Sequence, residues 1–310
     1  MSRPLFSCVV PVKGARSFIA DALASLESQG MGEELEVIVQ DGTTEYTEHT
    51  EIPKGLTVQL FRERDVGQSD ALNKGFAKAK GEWLFWLNAD DVLLPGALKK
   101  VCELISSHAP STSDEVTQAP STSAAKPHES TLSWIAGDTV YIDEAGKVLD
   151  VRCDAKWRSW FGKKLSVWTG GPSAFFRREL WEKRGGFDAE LKYAMDIDLW
   201  TRWAKAGEKF VGLGDYVWGF RVHGGSQTMN GENSAAQLAE RRAIDAKHGV
   251  SSDGFWRNLT RLASVLDGSW SKRRVDSRRL RGLKVSELRV GEWKFESKYR
   301  NRSPNGIARD

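Results

Sequence analysis

The sequence predicts an α/β protein with a mainly parallel sheet flanked by helices, because apolar strand patterns alternate with amphipathic helix patterns over residues 6–106. Residues 83–87 form an unbroken run of five apolar side chains, which is typical of a strand covered on both faces. The segments 6–12 and 35–39 have the same character. Strands and helices that alternate at this spacing indicate βαβ units and a parallel sheet.

Local patterns predict each element of this segment. In the strand FSCVVPV (6–12), Pro11 falls at the end, where a missing N–H donor is tolerated. The segment 16–29 places apolar residues at positions 19, 22, 23 and 26 on one helical face, and Gly30 ends this helix. The further predicted elements are strands at 35–39, 57–62 and 83–87 and helices at 69–80 and 95–106.

A change of composition interrupts the ordered patterns near the middle of the chain. Residues 107–130 are rich in Ser, Thr, Pro and Ala and repeat the fragment APSTS, so they predict a mobile low-complexity loop. Ordered patterns then resume. The predicted elements after this loop are strands at 133–143 and 216–222 and helices at 179–183, 196–206 and 234–247.

The composition predicts a soluble protein of a reducing compartment. In 310 residues the apolar share is 40%, enough for a sizeable core, and the charged share is an ordinary 28%. No apolar run approaches the roughly 20 residues that span a bilayer, and the first residues lack a signal-peptide core. The three cysteines show no metal-type spacing, so we expect a cytoplasmic protein rather than a disulfide scaffold.

The charge is distributed unevenly along the chain. Residues 251–310 contain fifteen Lys/Arg and seven Asp/Glu, a net charge of +8, although the whole chain carries only +3. We therefore predict one domain at 1–248 and a basic extension at 249–310. The extension suits an anionic membrane surface, at the inner face of the membrane, a docking partner, or the acidic first 250 residues of the same chain. Nucleic acid is a weaker candidate, because the arginines are scattered and follow no known binding motif.

Acidic and amide side chains follow the apolar run that ends at Leu87. Asn88, Asp90 and Asp91 come at the carboxyl end of that predicted strand, where open α/β folds bind ligands. Adjacent carboxylates repel one another, and a divalent metal with oxygen ligands is the simplest partner. The alternative is a solvated turn that caps the next helix.

Five ordered motifs together resemble the family 2 inverting glycosyltransferases, which have the GT-A fold. The motifs are VVPVKG (9–14), VIVQDGTTE (37–45), RDVGQSDALNKG (64–75), WLNADD (86–91), and FDAEL (187–191) followed by MDIDLWTRWA (195–204). The segment FRVHGGSQT (220–228) also resembles a family motif. The resemblance covers residues 6–247. It implies a nucleotide-diphosphate sugar donor, most often UDP-linked, a divalent Mn²⁺ or Mg²⁺, and a hydroxyl acceptor that is a carbohydrate or lipid-linked saccharide. Because many members of this family make such products, the resemblance also implies synthesis of a surface polysaccharide or glycolipid.

The resemblance also assigns residues to the donor site. The implied donor-binding residues are Pro11, Val12, Lys13, Asp41, Asp65, Asp70, Asn73, Asn88, Ala89 and Asp90. The implied metal ligands are Asp91, Asp90 and His223, whose order of importance stays open. Where the family usually has an acid, this chain has Gln40, which leaves the recognised base undefined. Structural alternatives remain for several positions: a solvated loop lysine at Lys13, a turn aspartate at Asp41, and a polar helix residue at Asn73.

Asp196 is the predicted catalytic base. It occupies the acid position of the family motif at the start of a helix, where a helix-capping acid is the alternative. Direct displacement at an anomeric carbon inverts that carbon and needs one carboxylate to take the acceptor proton. Asp198 lies on another helix face, so we expect it to orient the helix. The loop 170–173 is expected to border the two sugars, and Trp157, Trp160 and Trp168 to stack on the acceptor or to pack in the core.

Two other classes of protein remain as alternatives. A sugar nucleotidyltransferase also binds a nucleotide in an α/β sheet, but it needs a Gly-rich basic loop near its start. Residues 12–16 are a poor version of such a loop. A catalytically inactive sugar-nucleotide-binding scaffold is the second alternative, and it is disfavoured because Asp90, Asp91 and Asp196 are all present.

Overall fold

The computed structural model describes residues 3–13, 18–43, 52–109, 132–153, 167, 169–226, 234–250 and 254–288. The strands are β1 (Phe6–Val12), β2 (Leu35–Asp41), β3 (Thr57–Arg62), β4 (Trp83–Trp86), β5 (Val92–Leu93), β6 (Trp134–Ile142), β7 (Val148–Arg152), β8 (Ala174–Arg177) and β9 (Phe210–Arg221). The helices are α1 (Ile19–Glu27), α2 (Gln68–Lys78), α3 (Ala97–Ser107), α4 (Arg178–Arg184), α5 (Met195–Lys205), α6 (Ser234–His248), α7 (Gly254–Leu266) and α8 (Ser269–Leu280). The α/β prediction is confirmed, and each element predicted inside the described ranges is present.

The strands of the described ranges form one sheet in the order β3-β2-β1-β4-β8-β6-β9-β5, with β7 beside β6. The first four strands in this order are parallel, as the sequence predicts. The other half is mixed, because β8 is antiparallel to both of its neighbours and β6 pairs antiparallel with β7. The five-residue turn between β6 and β7 permits only antiparallel pairing. Beyond β4 the sheet also contains a parallel pair, β6 with β9, so its parallel part extends past the first four strands while β8, β7 and β5 pair antiparallel.

Apolar side chains cover both faces of the sheet. On one face α1 buries Leu23 and Leu26 against Phe6 and Phe85. On the other face α5 buries its tryptophans among aromatic residues of the strands, and Trp200 stacks on Trp134 with ring centroids 5.0 Å apart. Among the described residues five tryptophans are fully buried, namely Trp83, Trp86, Trp134, Trp200 and Trp203. Core packing therefore accounts for at least five of the thirteen tryptophans in the sequence.

Part of the basic extension packs on the sheet. Leu280, Val285 and Leu288 are buried in one apolar cluster with β6 and β7 residues. The Lys272 ammonium lies 2.6 Å from the buried Asp138 carboxylate of β6. The described end of the extension thus shares a core with residues of the predicted 1–248 domain. The predicted loop at 107–130 lies outside the described residues from position 110 onward.

Candidate functional site

A cavity of about 640 Å³ opens where β1, β4 and β9 end. Its described lining comes from the β1 end, the loop before α2, the turn after β4 and the turn after β9. The lining residues are Pro11, Val12, Lys13, Asp65, Val66, Gly67, Gln68, Ala71, Asn88, Ala89, Asp90, Lys192, Phe220, His223, Gly225 and Ser226. The size suits a nucleotide sugar. Seven of the predicted donor-site residues lie here.

Asp90 and His223 form a pair on the wall of this cavity. The Asp90 Oδ2 atom lies 3.0 Å from Nε2 of His223. The His223 Nδ1 atom accepts a hydrogen bond from the Gly225 N–H at 3.2 Å, so without a metal the neutral ring donates its Nε2–H to Asp90. A metal at Nε2 would require this proton to move to Nδ1 and the Gly225 hydrogen bond to be released. The ring of Phe18 packs against the imidazole at a centroid distance of 5.1 Å. A carboxylate and an imidazole are therefore fixed together at the cavity wall.

Asp91 lies behind the wall rather than on it. Its carboxylate is fully buried, accepting hydrogen bonds from the Arg221 N–H at 2.9 Å and from the Asn88 side-chain amide at 2.8 Å. Burial, reinforced by the nearby Asp90 charge, raises the pKa of Asp91 well above its ordinary value. In this position Asp91 does not face the cavity, which differs from the expectation that it binds a metal directly. Asn88 faces the cavity and accepts a hydrogen bond from Gln68 at 2.7 Å.

Arg221 organises the turn that carries Asp90, although the sequence motifs did not single it out. Its buried guanidinium donates to the Asp90 carbonyl at 2.8 Å and to the Asp21 carboxylate at 2.9 Å. It also donates to the Glu144 carbonyl at 2.6 Å and lies 4.6 Å from the centre of the Phe18 ring. A buried arginine requires this many partners because an unpaired charge in a core is costly. Its place in the FRVHGGSQT motif was the available signal.

Two predicted aspartates lie near the end of β2. Asp41 is buried, and its carboxylate accepts hydrogen bonds from the Thr43 N–H at 2.9 Å and the Thr43 hydroxyl at 2.5 Å. Asp65 lines the cavity and accepts a hydrogen bond from the Gly67 N–H at 3.1 Å. A Cβ atom on Gly42 would come within 1.6 Å of the Asp65 carboxylate, so a larger residue there would displace this carboxylate from its present position.

Two other predicted donor-site residues are engaged inside the protein and do not line the cavity. Asp70 accepts a hydrogen bond from the Val66 N–H at 3.1 Å and pairs with the Lys74 ammonium at 2.7 Å, which lowers the pKa of Asp70. The Asn73 side chain forms two 2.9 Å hydrogen bonds with the Phe187 backbone. These contacts fasten α2 to its own loop and to the 185–188 turn.

A second cavity of about 170 Å³ adjoins the first and contains Asp196. The two share Gln68, Asn88, Lys192 and Phe220 in their linings. Asp196 lies in the first turn of α5, and burial raises its pKa to about 6. Residues 169–172 line this second cavity as well.

Gly171 leaves the approach to Asp196 open. A Cβ atom there would come within 2.2 Å of the Trp86 ring and 3.3 Å of the Asp196 carboxylate. Any larger residue would therefore displace the tryptophan that lines this cavity. This is a steric requirement for glycine and does not depend on an unusual backbone angle.

Helix α6 fixes the start of α5. The Glu240 carboxylate accepts hydrogen bonds from the N–H groups of Lys192, Tyr193 and Ala194 at 3.0, 2.8 and 2.6 Å. Asp198 is fully buried between Arg202 and His248, each 2.8 Å away. Asp198 thus joins α5 to α6. Glu240 was missed, because nothing in the sequence places it near α5.

The described residues contain no cluster of three or more His, Cys, Asp or Glu side chains that could hold a metal. Asp90 and His223 supply two potential ligands, and the diphosphate of a bound nucleotide supplies oxygens that can complete a shell. The pair therefore fits a metal that is bound jointly by protein and ligand. The aromatic residues predicted for the acceptor, Trp157, Trp160 and Trp168, lie outside the described residues.

The chain is similar to known proteins both in sequence and in fold. Residues 7–150 match the family model "Glycosyl transferase family 2". This segment is similar to that family, and the resemblance found in the motifs is confirmed. The described structure is similar to that of S. aureus TarS 1–349 in complex with UDP-GlcNAc, with a TM-score of 0.54 and 18% identity over 78% of this chain and 65% of that chain. The GT-A type of fold is thereby confirmed.

Curated relatives extend beyond the matched segment. An uncharacterised glycosyltransferase of Rickettsia typhi is 25% identical over 85% of this chain and 75% of its own length. A PGL/p-HBAD biosynthesis glycosyltransferase of Mycobacterium bovis is 33% identical over 36% of this chain. The aligned part spans 45% of the mycobacterial protein.

Proposed function

We propose that the protein is a metal-dependent inverting glycosyltransferase that moves a sugar from a nucleotide-diphosphate sugar to a hydroxyl acceptor. The observation that carries this proposal is the junction of two cavities. One contains the Asp90–His223 pair, and the other contains Asp196 with a pKa raised to about 6. UDP is the first nucleotide to test, because UDP-linked sugars are the commonest donors in the family that the chain resembles. The same resemblance supports a role in the synthesis of a surface polysaccharide or glycolipid.

The larger cavity is assigned to the donor. Pro11, Val12 and Asp65 line the part of this cavity that is formed by β1 and the loop before α2. We assign the base and ribose of the donor to this part. Asp90 and His223 would hold a divalent cation between them and the diphosphate, and Mn²⁺ suits their mixed oxygen and nitrogen ligands better than Mg²⁺ does. When bound, this cation neutralises the charge of the leaving diphosphate. Asp91 and Arg221 are buried behind the turn that carries Asp90, and their hydrogen bonds hold this turn in place.

Asp196 is assigned the proton transfer. Its carboxylate takes the proton of the acceptor hydroxyl while the hydroxyl oxygen forms a bond to the anomeric carbon. The bond from that carbon to the diphosphate breaks, and its electron pair leaves with the nucleotide. A base with a pKa of about 6 is ionised at neutral pH and still basic enough to assist. Attack from the smaller cavity, opposite the leaving group in the larger one, inverts the anomeric carbon.

The donor class can be tested by thermal unfolding with UDP, GDP, CDP and dTDP, each with and without Mn²⁺. We expect one nucleotide to raise the melting temperature, and to do so mainly in the presence of Mn²⁺. At about 100 times its dissociation constant, a ligand of the native state adds roughly 2.7 kcal/mol to the free energy of unfolding.

The two alternative classes give different results. An inactive scaffold would show the same shift but no release of nucleotide diphosphate from its sugar conjugate with any acceptor. A nucleotidyltransferase would instead form the nucleotide sugar from a nucleoside triphosphate and a sugar 1-phosphate. The absence of a shift with all four nucleotides would contradict the proposal.

We also propose that the extension holds the protein at an anionic membrane surface. In the described part of the chain no helix has the length and apolar character needed to cross a bilayer. The end of α7 and the start of α8 nevertheless expose apolar side chains, with Leu262 53%, Leu266 78% and Trp270 47% accessible. Arg274 lies 4.7 Å above the Trp270 ring, and the extension as a whole is strongly basic. Exposed apolar and basic groups on two contacting helices suit an anionic lipid surface.

Vesicle binding tests this surface. Phosphatidylcholine vesicles that contain phosphatidylglycerol should bind the wild-type protein, and pure phosphatidylcholine vesicles should bind it much more weakly. The double change Leu262→Glu and Leu266→Glu should weaken binding by roughly tenfold or more, since two leucines lose their burial. Leu238→Glu on α6, where the leucine is 49% exposed, is the matched control. Equal binding by the double variant would contradict the proposal, and dimerisation lost in that variant would assign the surface to a second copy.

A further inference from the structure

A chain of three side chains runs from the core to the place where the two cavities join. Gln68 and Asn88 line both cavities. The Gln68 Nε2 atom donates a hydrogen bond to Asn88 Oδ1 at 2.7 Å, and Asn88 Nδ2 donates to Asp91 Oδ2 at 2.8 Å. The other oxygen of the buried Asp91 carboxylate accepts the Arg221 N–H at 2.9 Å. The Gln68 side chain is therefore held at the junction of the cavities by a chain that is anchored in the core.

The direction of this chain determines which atom Gln68 presents at the junction. An ionised carboxylate can only accept hydrogen bonds, so Asp91 pairs with the amide nitrogen of Asn88. The oxygen of Asn88 then pairs with the amide nitrogen of Gln68. Within the described part of the chain no group donates a hydrogen bond to the Gln68 carbonyl oxygen, Oε1. The chain thus ends on an acceptor oxygen of a residue that lines both cavities.

The backbone of Gln68 is fixed as well as its side chain. Gln68 is the first residue of α2 and follows Gly67, whose φ of 152° is a conformation that other residues rarely adopt. The next side chain, the Ser69 hydroxyl, donates to the Leu191 carbonyl at 3.0 Å and ties the start of α2 to the segment before α5. A group held in this way loses little conformational freedom when a ligand binds, so its contact with the ligand can be selective.

The proposed reaction places the transferred sugar at this junction. The diphosphate is assigned to the larger cavity beside Asp90 and His223, and the base Asp196 lies in the smaller cavity. In an inverting displacement the anomeric carbon lies between the leaving diphosphate and the acceptor hydroxyl, and therefore where the two cavities join. Sugar hydroxyl groups donate hydrogen bonds, and Oε1 of Gln68 is an acceptor at the same place.

We propose that Gln68 is a specificity-determining residue whose carbonyl oxygen accepts a hydrogen bond from one hydroxyl group of the transferred sugar. This inference rests on the proposed function, because it assigns a contact within that same site. A sugar in which this hydroxyl is absent, or has the opposite configuration, covers the Gln68 oxygen without pairing it. Such a sugar is rejected, because an acceptor that is removed from water and left unpaired is costly.

Calorimetric titration of the full chain in the presence of Mn²⁺ tests this contact. UDP-glucose, UDP-galactose and UDP-N-acetylglucosamine are each compared with UDP, and the UDP-sugar that binds most tightly is used further. We expect Gln68→Leu to bind UDP as the wild type does, because the base, ribose and diphosphate are assigned to other residues. The variant should bind the chosen UDP-sugar about threefold to tenfold more weakly, the range of one hydrogen bond between uncharged groups.

Deoxyfluoro analogues of the chosen UDP-sugar separate a direct contact from an indirect effect through Asn88. Fluorine replaces one hydroxyl group at a time, keeps a similar size and removes the hydrogen that the hydroxyl donates. In the wild type, one of these analogues should bind about threefold to tenfold more weakly than the parent sugar. The same analogue and the parent should bind Gln68→Leu equally, because the variant lacks the acceptor oxygen.

Gln59→Leu is the matched control. Gln59 lies on the edge strand β3 and donates its side-chain amide to the Glu36 carboxylate at 3.3 Å. It is absent from the described linings of both cavities. The control variant loses the same side chain and the same kind of amide donor, and it should keep the wild-type affinity for UDP, for the UDP-sugar and for each analogue.

Two results would overturn this inference. One is a loss of affinity on fluorination that is the same in the wild type and in Gln68→Leu for every analogue. The other is a Gln68→Leu variant that binds the three UDP-sugars with wild-type affinities. Failure of the wild-type protein to bind UDP and all three UDP-sugars would instead contradict the proposed donor, which separates the two proposals.

Discussion

Replacement of Asp196 by asparagine should lower the rate of sugar transfer by about 10²–10⁴-fold, the usual contribution of a general base. Asparagine has the same shape but cannot accept the acceptor proton. Donor binding should be unchanged, because Asp196 lines the smaller cavity and not the larger one. The rate is measured as release of nucleotide diphosphate from its sugar conjugate, and donor affinity is measured separately by calorimetry.

The dependence on pH is tied to the same carboxylate. Burial raises the pKa of Asp196 to about 6, and only the ionised carboxylate is a base. The wild-type rate should therefore fall as the pH falls through about 6 and should level off above it. The asparagine variant should lose this acidic limb.

Asp188→Asn is the control for Asp196→Asn. Asp188 makes a partly exposed pair with Lys247 at 3.0 Å and is absent from both cavity linings, so its loss should change the rate little. An Asp196→Asn variant that keeps a wild-type rate, or that loses donor binding in proportion to rate, would remove Asp196 from the role of base.

Separate substitution of the two adjacent aspartates should give two different defects. Asp90→Asn should remove most of the gain in nucleotide affinity that Mn²⁺ provides, at least about tenfold or 1.4 kcal/mol, with little effect on folding. The reason is that the Asp90 carboxylate is partly exposed in the cavity beside His223. Thermal unfolding with and without nucleotide and Mn²⁺ measures both effects in one experiment.

Asp91→Ala is the contrasting variant. Its main effect should be a loss of about 1–3 kcal/mol in the free energy of unfolding, because the buried Arg221 N–H and the Asn88 amide lose their acceptor. If Asp91→Ala abolished the Mn²⁺ response while Asp90→Asn kept it, the two roles would have to be exchanged.

The sequence predicts well which residues lie at the carboxyl ends of the strands, because the end of a strand is determined by residues that are neighbours in the sequence. The apolar runs that end at Val12 and Leu87 are fixed by residue type, and the structure brings both ends to one cavity. The start of α5 is likewise determined by neighbouring residues, since the acidic residues at 196 and 198 come just before the apolar face of the helix. These patterns were sufficient to place most of the proposed donor and base residues.

The sequence does not predict contacts between distant segments. Adjacent aspartates look equivalent in the motif, yet successive side chains point in different directions, and only Asp90 faces the cavity. Arg221 and Glu240 act through backbone groups of other segments, which carry no residue-type signal. The antiparallel position of β8 depends on the path of the whole chain, so periodicity alone cannot show it.

Joint binding of metal and nucleotide by Asp90 and His223 can be measured by calorimetric titration of UDP into the wild-type protein and into Asp90→Asn, each with and without Mn²⁺. We expect Mn²⁺ to strengthen UDP binding at least about tenfold in the wild type and to have little effect in the variant. Equal strengthening in both proteins would contradict the assignment of Asp90 and His223 to a metal that is shared with the nucleotide.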